Sequence, residues 1–149
     1  MFIAIIIPLV VALLCVEILD HGTLQMQVGG WRAPLGIQLH ADGLSTAMLA
    51  ITAVVIGCST FYAHSYFTGK AASRSFWPLW MFLWAALNAL FLSADIFNLY
   101  VTLELLGLSA VALVALSQTA DGLSAAMRYL LVSLTGSLSY LMGVALVYA

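Results

Sequence analysis

Apolar side chains fill five long stretches of this chain, separated by short polar breaks and one longer interval. They cover residues 2–19, 44–67, 76–94, 96–117 and 123–148. Each is close to the roughly 20 residues that a helix rising about 1.5 Å per residue needs to cross a hydrocarbon core of about 30 Å. The first has no basic start and no small-residue cleavage site before Glu17-Ile18-Leu19-Asp20, so it reads as a retained helix rather than a secretory leader. The longer interval, 20–43, has a different rhythm. Leu24, Met26 and Val28 alternate with polar neighbours, Gly29-Gly30 interrupts, and Ile37 and Leu39 alternate again. That spacing predicts a β-hairpin-like loop on the outer face, with Trp31 as an interfacial anchor. The expected architecture is all-α and integral to the membrane: a single membrane domain over 1–149, with about five transmembrane helices and one outer loop.

Composition strengthens this reading. The 149 residues are 64% hydrophobic and 7% charged, which excludes an ordinary soluble domain, because so small a chain cannot bury that much apolar surface in water. Lipid is the expected solvent. The net charge is −2 with no acidic or basic run, so no nucleic-acid partner is expected. Lys70, Arg74 and Arg128 fall on one side of the predicted membrane and Arg32 on the other. The excess of basic residues places the Lys70 loop in the cytoplasm and the 20–43 loop outside.

Little else resembles a reactive centre. Cys15 and Cys58 lie in apolar runs without a Cys-x-x-Cys or Cys/His pattern and read as small buried or lipid-facing residues. His21, His40 and Asp42 fit no ligand spacing and read as solvated loop residues, so no metal is expected. Glu17 is close enough to its helix end to reach the interface and receives no role. Hydrolase and phosphate-loop motifs are missing, which disfavours an intramembrane enzyme. No paired intramembrane histidines could hold haem, His64 standing alone, and no cofactor is expected.

Glu104 changes the picture. It is a charged residue deep inside a spanning stretch, where insertion scales put the cost of comparable groups at about 2.5–3.5 kcal/mol. A carboxyl held between a desolvating surround and a nearby cation can take up and release a proton, as a relay requires. The plainer alternative is a protonated structural acid, hydrogen-bonded to a helix neighbour. Tyr100 precedes Glu104 by one turn and Gly107 follows by one, the glycine leaving space beside the carboxyl. In the fifth stretch Ser133, Gly136, Ser137, Tyr140 and Gly143 fall on one helical face, small and hydroxyl-bearing. Close packing alone explains such a face; water held beside Glu104 is the sharper reading. Asn88 reads as a helix–helix hydrogen bond or a path lining, and Asp95 as an N-cap of the fourth helix or an ion entry point.

The run Asp95-Ile96-Phe97-Asn98-Leu99-Tyr100-Val101, with Glu104 six residues on from Asn98, resembles the antiporter-like membrane subunits shared by Mrp-type cation/proton antiporters, respiratory complex I and membrane-bound hydrogenases. The D subunit of the Mrp type is the nearest in pattern. Gly29-Gly30-Trp31-Arg32-Ala33-Pro34-Leu35-Gly36-Ile37, then Asp42-Gly43-Leu44-Ser45, and Arg128-Tyr129-Leu130-Leu131 leading to Thr135-Gly136-Ser137, agree in the same order. The resemblance implies a partial antiporter-like fold, the N-terminal part only, running from the family's second helix to its sixth. It implies that Glu104 is the family glutamate that takes part in proton translocation and pairs with a lysine on a broken seventh helix. No intramembrane lysine stands here, since Lys70 falls in a loop. The resemblance therefore implies partners: other membrane subunits of a hetero-oligomeric complex, one supplying the lysine-bearing broken helix.

Two functions follow. In the first, the chain is part of a proton- or cation-translocating subunit of the prokaryotic cell membrane, with Glu104 as the relay. It is then no enzyme by itself, and any redox chemistry belongs to partner subunits. In the second, it is a non-conducting scaffold or truncated remnant within such a complex. Neutral replacement of Glu104 separates them.

Overall fold

A computed structural model describes residues 2–31, 36–67 and 73–148. Arg32 and Lys70, two of the residues that orient the chain by charge, lie outside the described residues. In order the elements are α1 (Phe2–His21), β1 (Leu24–Val28), β2 (Ile37–Ala41), α2 (Gly43–Tyr66), α3 (Ser73–Leu92), α4 (Ile96–Ala115) and α5 (Ala120–Tyr148). Among the described residues four stretches are long and apolar enough to cross a membrane: Gly43–Tyr66, Arg74–Leu92, Ile96–Ala115 and Ala120–Tyr148. The mostly helical membrane fold with one short hairpin is thus the one the apolar stretches predict.

The chain divides into two compact units. One holds α1, the hairpin, α2 and residues 91–94; the other holds α3 as far as Leu90, α4 and α5. In the first, α1 packs along α2. The buried positions of α2 include Leu49, Ala53, Ile56, Thr60 and Ala63, spaced by three and four along one face. Thr60 Oγ1 donates to the Ile56 carbonyl at 2.7 Å, so the hydroxyl is satisfied by its own helix.

Helix α2 begins where the backbone is capped. The Asp42 carboxylate accepts from the Ser45 amide at 2.7 Å and the Ser45 hydroxyl accepts from the Asp42 amide at 2.7 Å, a reciprocal capping box. The hydrogen bond from the Ser45 amide, more than any other neighbour, holds the Asp42 carboxyl below its ordinary value of 3.8. A carboxyl whose folded-state value is depressed contributes its stabilisation in full above the ordinary value, and loses it as pH falls through the lower folded-state value. Hydrogen exchange should show this. In Asp42→Ala the Ser45 amide should exchange faster at neutral pH. Acidification well below pH 3.8 should weaken protection in the wild type and leave the variant's rate ratio unchanged.

The hairpin pairs Leu24 with Ala41 through Val28 with Ile37, antiparallel. Gly22 ends α1 at φ 79°, its amide reaching back to the Ile18 carbonyl at 2.9 Å, and Gly29 and Gly30 both turn at φ 75°. Side chains with a Cβ resist that left-handed region. The Ala94 amide also donates to the Gln38 carbonyl at 3.0 Å, and Ser93 bridges Leu39. This explains why α3 stops at Leu92 while its apolar run continues to Ala94: those last two residues turn their backbone to β2. Helix α5 starts earlier than its first large apolar residue, Leu123, because Thr119 Oγ1 accepts from the Gly122 amide at 3.1 Å and caps a polar first turn.

Candidate functional site

Helix α4 is launched by Asp95, whose carboxylate accepts from the Asn98 amide at 2.7 Å from an extended backbone. This is the N-cap expected of it, and it fixes the phase of the helix that carries Glu104. Asn98 and Thr102 are buried, and Thr102 Oγ1 returns its proton to the carbonyls of Leu99 at 2.9 Å and Asn98 at 3.0 Å.

Glu104 is half-buried in the middle of α4, and its Oε2 is buried with no hydrogen-bond partner among the described residues. His21 pairs with Glu17, at 3.4 Å and a turn apart on α1, and among the described residues no cation is found on Glu104.

Helices α4 and α5 pack against each other in antiparallel register. The Tyr140 hydroxyl donates to the Ile96 carbonyl at 3.3 Å. The rings of Tyr100 and Tyr140 stack with centroids 6.4 Å apart and planes within 7°. At the other end a Cβ on Gly107 would come within 2.9 Å of Ser133 Oγ. Glu104 lies between Tyr100 and Gly107, so it runs alongside the stretch of α5 from Ser133 to Tyr140.

The small-residue face of α5 is divided by this packing. Ser133 and Tyr140 meet α4. Ser137 is half-buried, its Oγ donating to the Leu134 carbonyl at 3.2 Å. Gly136 and Gly143 are exposed, and an added Cβ there would meet nothing within 4 Å. Gly136 instead lines an open groove with Leu131, Val132, Thr135 and Ser139. Thr135 and Ser139 bond their own helix's carbonyls, both at 2.8 Å. Ser133 makes no such bond among the described residues, which leaves its proton available beside Gly107.

Asn88 is half-buried on α3, with Oδ1 buried and unpartnered among the described residues. Trp84, one turn earlier, is 1% exposed with its Nε1 in the same condition. Sequence reasoning singled out Asn88 and passed over Trp84, although the i, i+4 spacing already puts an indole donor and an amide acceptor on one face. Among the described residues no three His, Cys, Asp or Glu side chains gather as a metal site. Asp42 is engaged as a cap and His21 lies against Glu17. Cys15 is half-buried and Cys58 exposed, both as free thiols.

Chemically, a carboxyl with one buried oxygen unclaimed by the described residues can hold a proton or pass one to a small polar molecule or an incoming side chain. Comparison with known proteins gives this site a context. No family model matches the chain. The D subunit of a Na(+)/H(+) antiporter from Alkalihalophilus pseudofirmus is 30% identical over 136 residues, which are 91% of this chain and 28% of that protein. A putative antiporter subunit of Staphylococcus haemolyticus, mnhD2, is 33% identical over 137 residues, 91% of this chain and 27% of the relative. A chain of the membrane-bound sulfane sulfur reductase, an archaeal respiratory membrane complex, superposes with a TM-score of 0.83 at 28% identity, over 99% of this chain and 30% of that one. The present chain thus spans little more than a quarter of the length of the curated relatives it matches.

Proposed function

We propose that this chain, which is similar in sequence and fold to part of the antiporter-like membrane subunits, contributes to a proton- or cation-translocating unit of the prokaryotic cell membrane. Glu104 is its relay. The observation that carries this reading is the Glu104 carboxyl itself: in the middle of an apolar helix, one oxygen buried, unclaimed by the described residues. A structural acid would be expected to spend that oxygen on a hydrogen bond, since a buried polar group left unmade costs about 1–3 kcal/mol. A relay keeps it open for the group that brings or takes the proton.

The neighbours suit that role. Gly107 brings α5 close, Ser133 offers an uncommitted hydroxyl, and the Tyr100–Tyr140 stack closes the other side of the same stretch. Ser137 and Asn88 belong to the same proposal as polar linings, Gly136 as part of an open face on which a further membrane helix can pack. Other membrane subunits are the partners, and a lysine on a broken helix, as the family resemblance implies, gives Glu104 its cation. The chain is then a non-redox component rather than an enzyme in its own right.

Complementation tests the reading in cells. A strain lacking this chain should regain sodium or proton transport with the wild-type gene and not with Glu104→Gln, although both chains reach the membrane. Equal rescue would favour the scaffold instead. The accompanying topology has its own check. With Cys15→Ala and Cys58→Ala as background, Gln25→Cys should react with an impermeant thiol reagent from outside and Ser75→Cys from the cytoplasm only. Reaction of Gln25→Cys solely from the cytoplasmic side would invert the orientation.

A further inference from the structure

We propose that Trp84 and Asn88 form a binding site for a single internal water molecule on α3. Both side chains present a buried polar atom without a hydrogen-bond partner among the described residues, Nε1 on the indole and Oδ1 on the amide. Trp84 is 1% exposed, so its N–H has no route to bulk solvent. Around a membrane helix there is no water in the hydrocarbon to satisfy such groups, and they must be met from within.

The two atoms are complementary rather than alike. An indole N–H only donates, and an amide oxygen only accepts. Side chains four residues apart on a helix are neighbours on one face, yet these two atoms do not bond each other, since neither has a partner among the described residues. The occupant must accept from one group and donate to the other at the same time. Water does both, is small enough for a site between side chains on adjacent turns, and keeps one further O–H to offer. Buried waters of this kind typically satisfy two to four otherwise unmet polar groups. Both side chains lie on α3 and neither is bonded to Glu104, so the water can be tested apart from the relay that Asn88 is proposed to line.

Vibrational spectroscopy on the complete complex in lipid tests this. Subtracting the Trp84→Phe resonance Raman spectrum from the wild type isolates Trp84 from Trp31, Trp77 and Trp80. The isolated indole should show a hydrogen-bonded N–H in the wild type and a free one in Asn88→Leu. The infrared spectrum should contain an O–H stretching band that shifts in oxygen-18 water and is lost in both variants. Glu104→Gln should keep that band, whatever it does to transport, so the water site and the relay can fail separately. A free Trp84 N–H in the wild type would overturn the site without any need for the variants. A bonded N–H indifferent to Asn88→Leu, with no isotope-sensitive band, would assign the contact to a partner side chain and overturn it equally.

Discussion

Leucine in place of Gly107 is expected to disrupt the α4–α5 pair, lowering the stability of this unit by about 1–3 kcal/mol, the usual penalty for overfilling a packed contact. The argument is geometric. A Cβ at position 107 would already lie 2.9 Å from Ser133 Oγ, closer than such atoms ordinarily come. Alanine is the informative control. Its single methyl meets only the end of a serine side chain, which can rotate away, and the helix gains about 1 kcal/mol of intrinsic propensity over glycine. Gly107→Ala should therefore be close to neutral, and Ser133→Ala in the same chain should remove what strain remains. Leucine has no such escape, because its bulk must enter the space between the two helices. Thermal unfolding of the purified complex, followed by loss of this chain from it, should rank wild type and alanine together and leucine well below.

The fold was legible in the sequence because a lipid solvent leaves few choices. Uninterrupted apolar runs of spanning length become helices, since no other backbone satisfies itself in hydrocarbon. The hairpin was legible from the period-two alternation around Gly29-Gly30 and the cap of α4 from Asp95 before the apolar run. Helix ends were less so. Ser93 and Ala94 are drawn off α3 by β2, a tertiary contact with no local signature, and Thr119 extends α5 backward through residues too polar to count as spanning. At the site, Glu104 and Gly107 stood out by type and spacing. The α5 face did not read correctly as one surface: five small or hydroxyl residues share a side of the helix, yet Ser133 and Tyr140 meet α4 while Gly136 lines an open groove. A helical wheel gives the angle of each residue and not the width of its neighbour. Trp84 was hidden for another reason. Tryptophan in an apolar helix looks like bulk, and only its burial exposes the unmet N–H.

The second large effect concerns Glu104. Glutamine keeps the length, the planar head and the capacity to hydrogen-bond, and removes only the proton that can leave. It also removes any charge, which insertion scales put at about 2.5–3.5 kcal/mol for comparable groups near the bilayer centre. Glu104→Gln is therefore expected to be at least as stable as the wild type, and inactive. Gain of stability with loss of activity is the pattern of a functional group rather than a structural one. Aspartate should fall between, since it keeps the acid and withdraws it by one methylene, a gap that a bridging water can span.

The most direct measurement is ion transport by the complete complex in proteoliposomes, wild type against Glu104→Gln, with subunit content checked in the same vesicles. The account predicts equal assembly, transport by Glu104→Gln at the level of protein-free vesicles, and partial transport by Glu104→Asp. Transport by Glu104→Gln at the wild-type rate would contradict it.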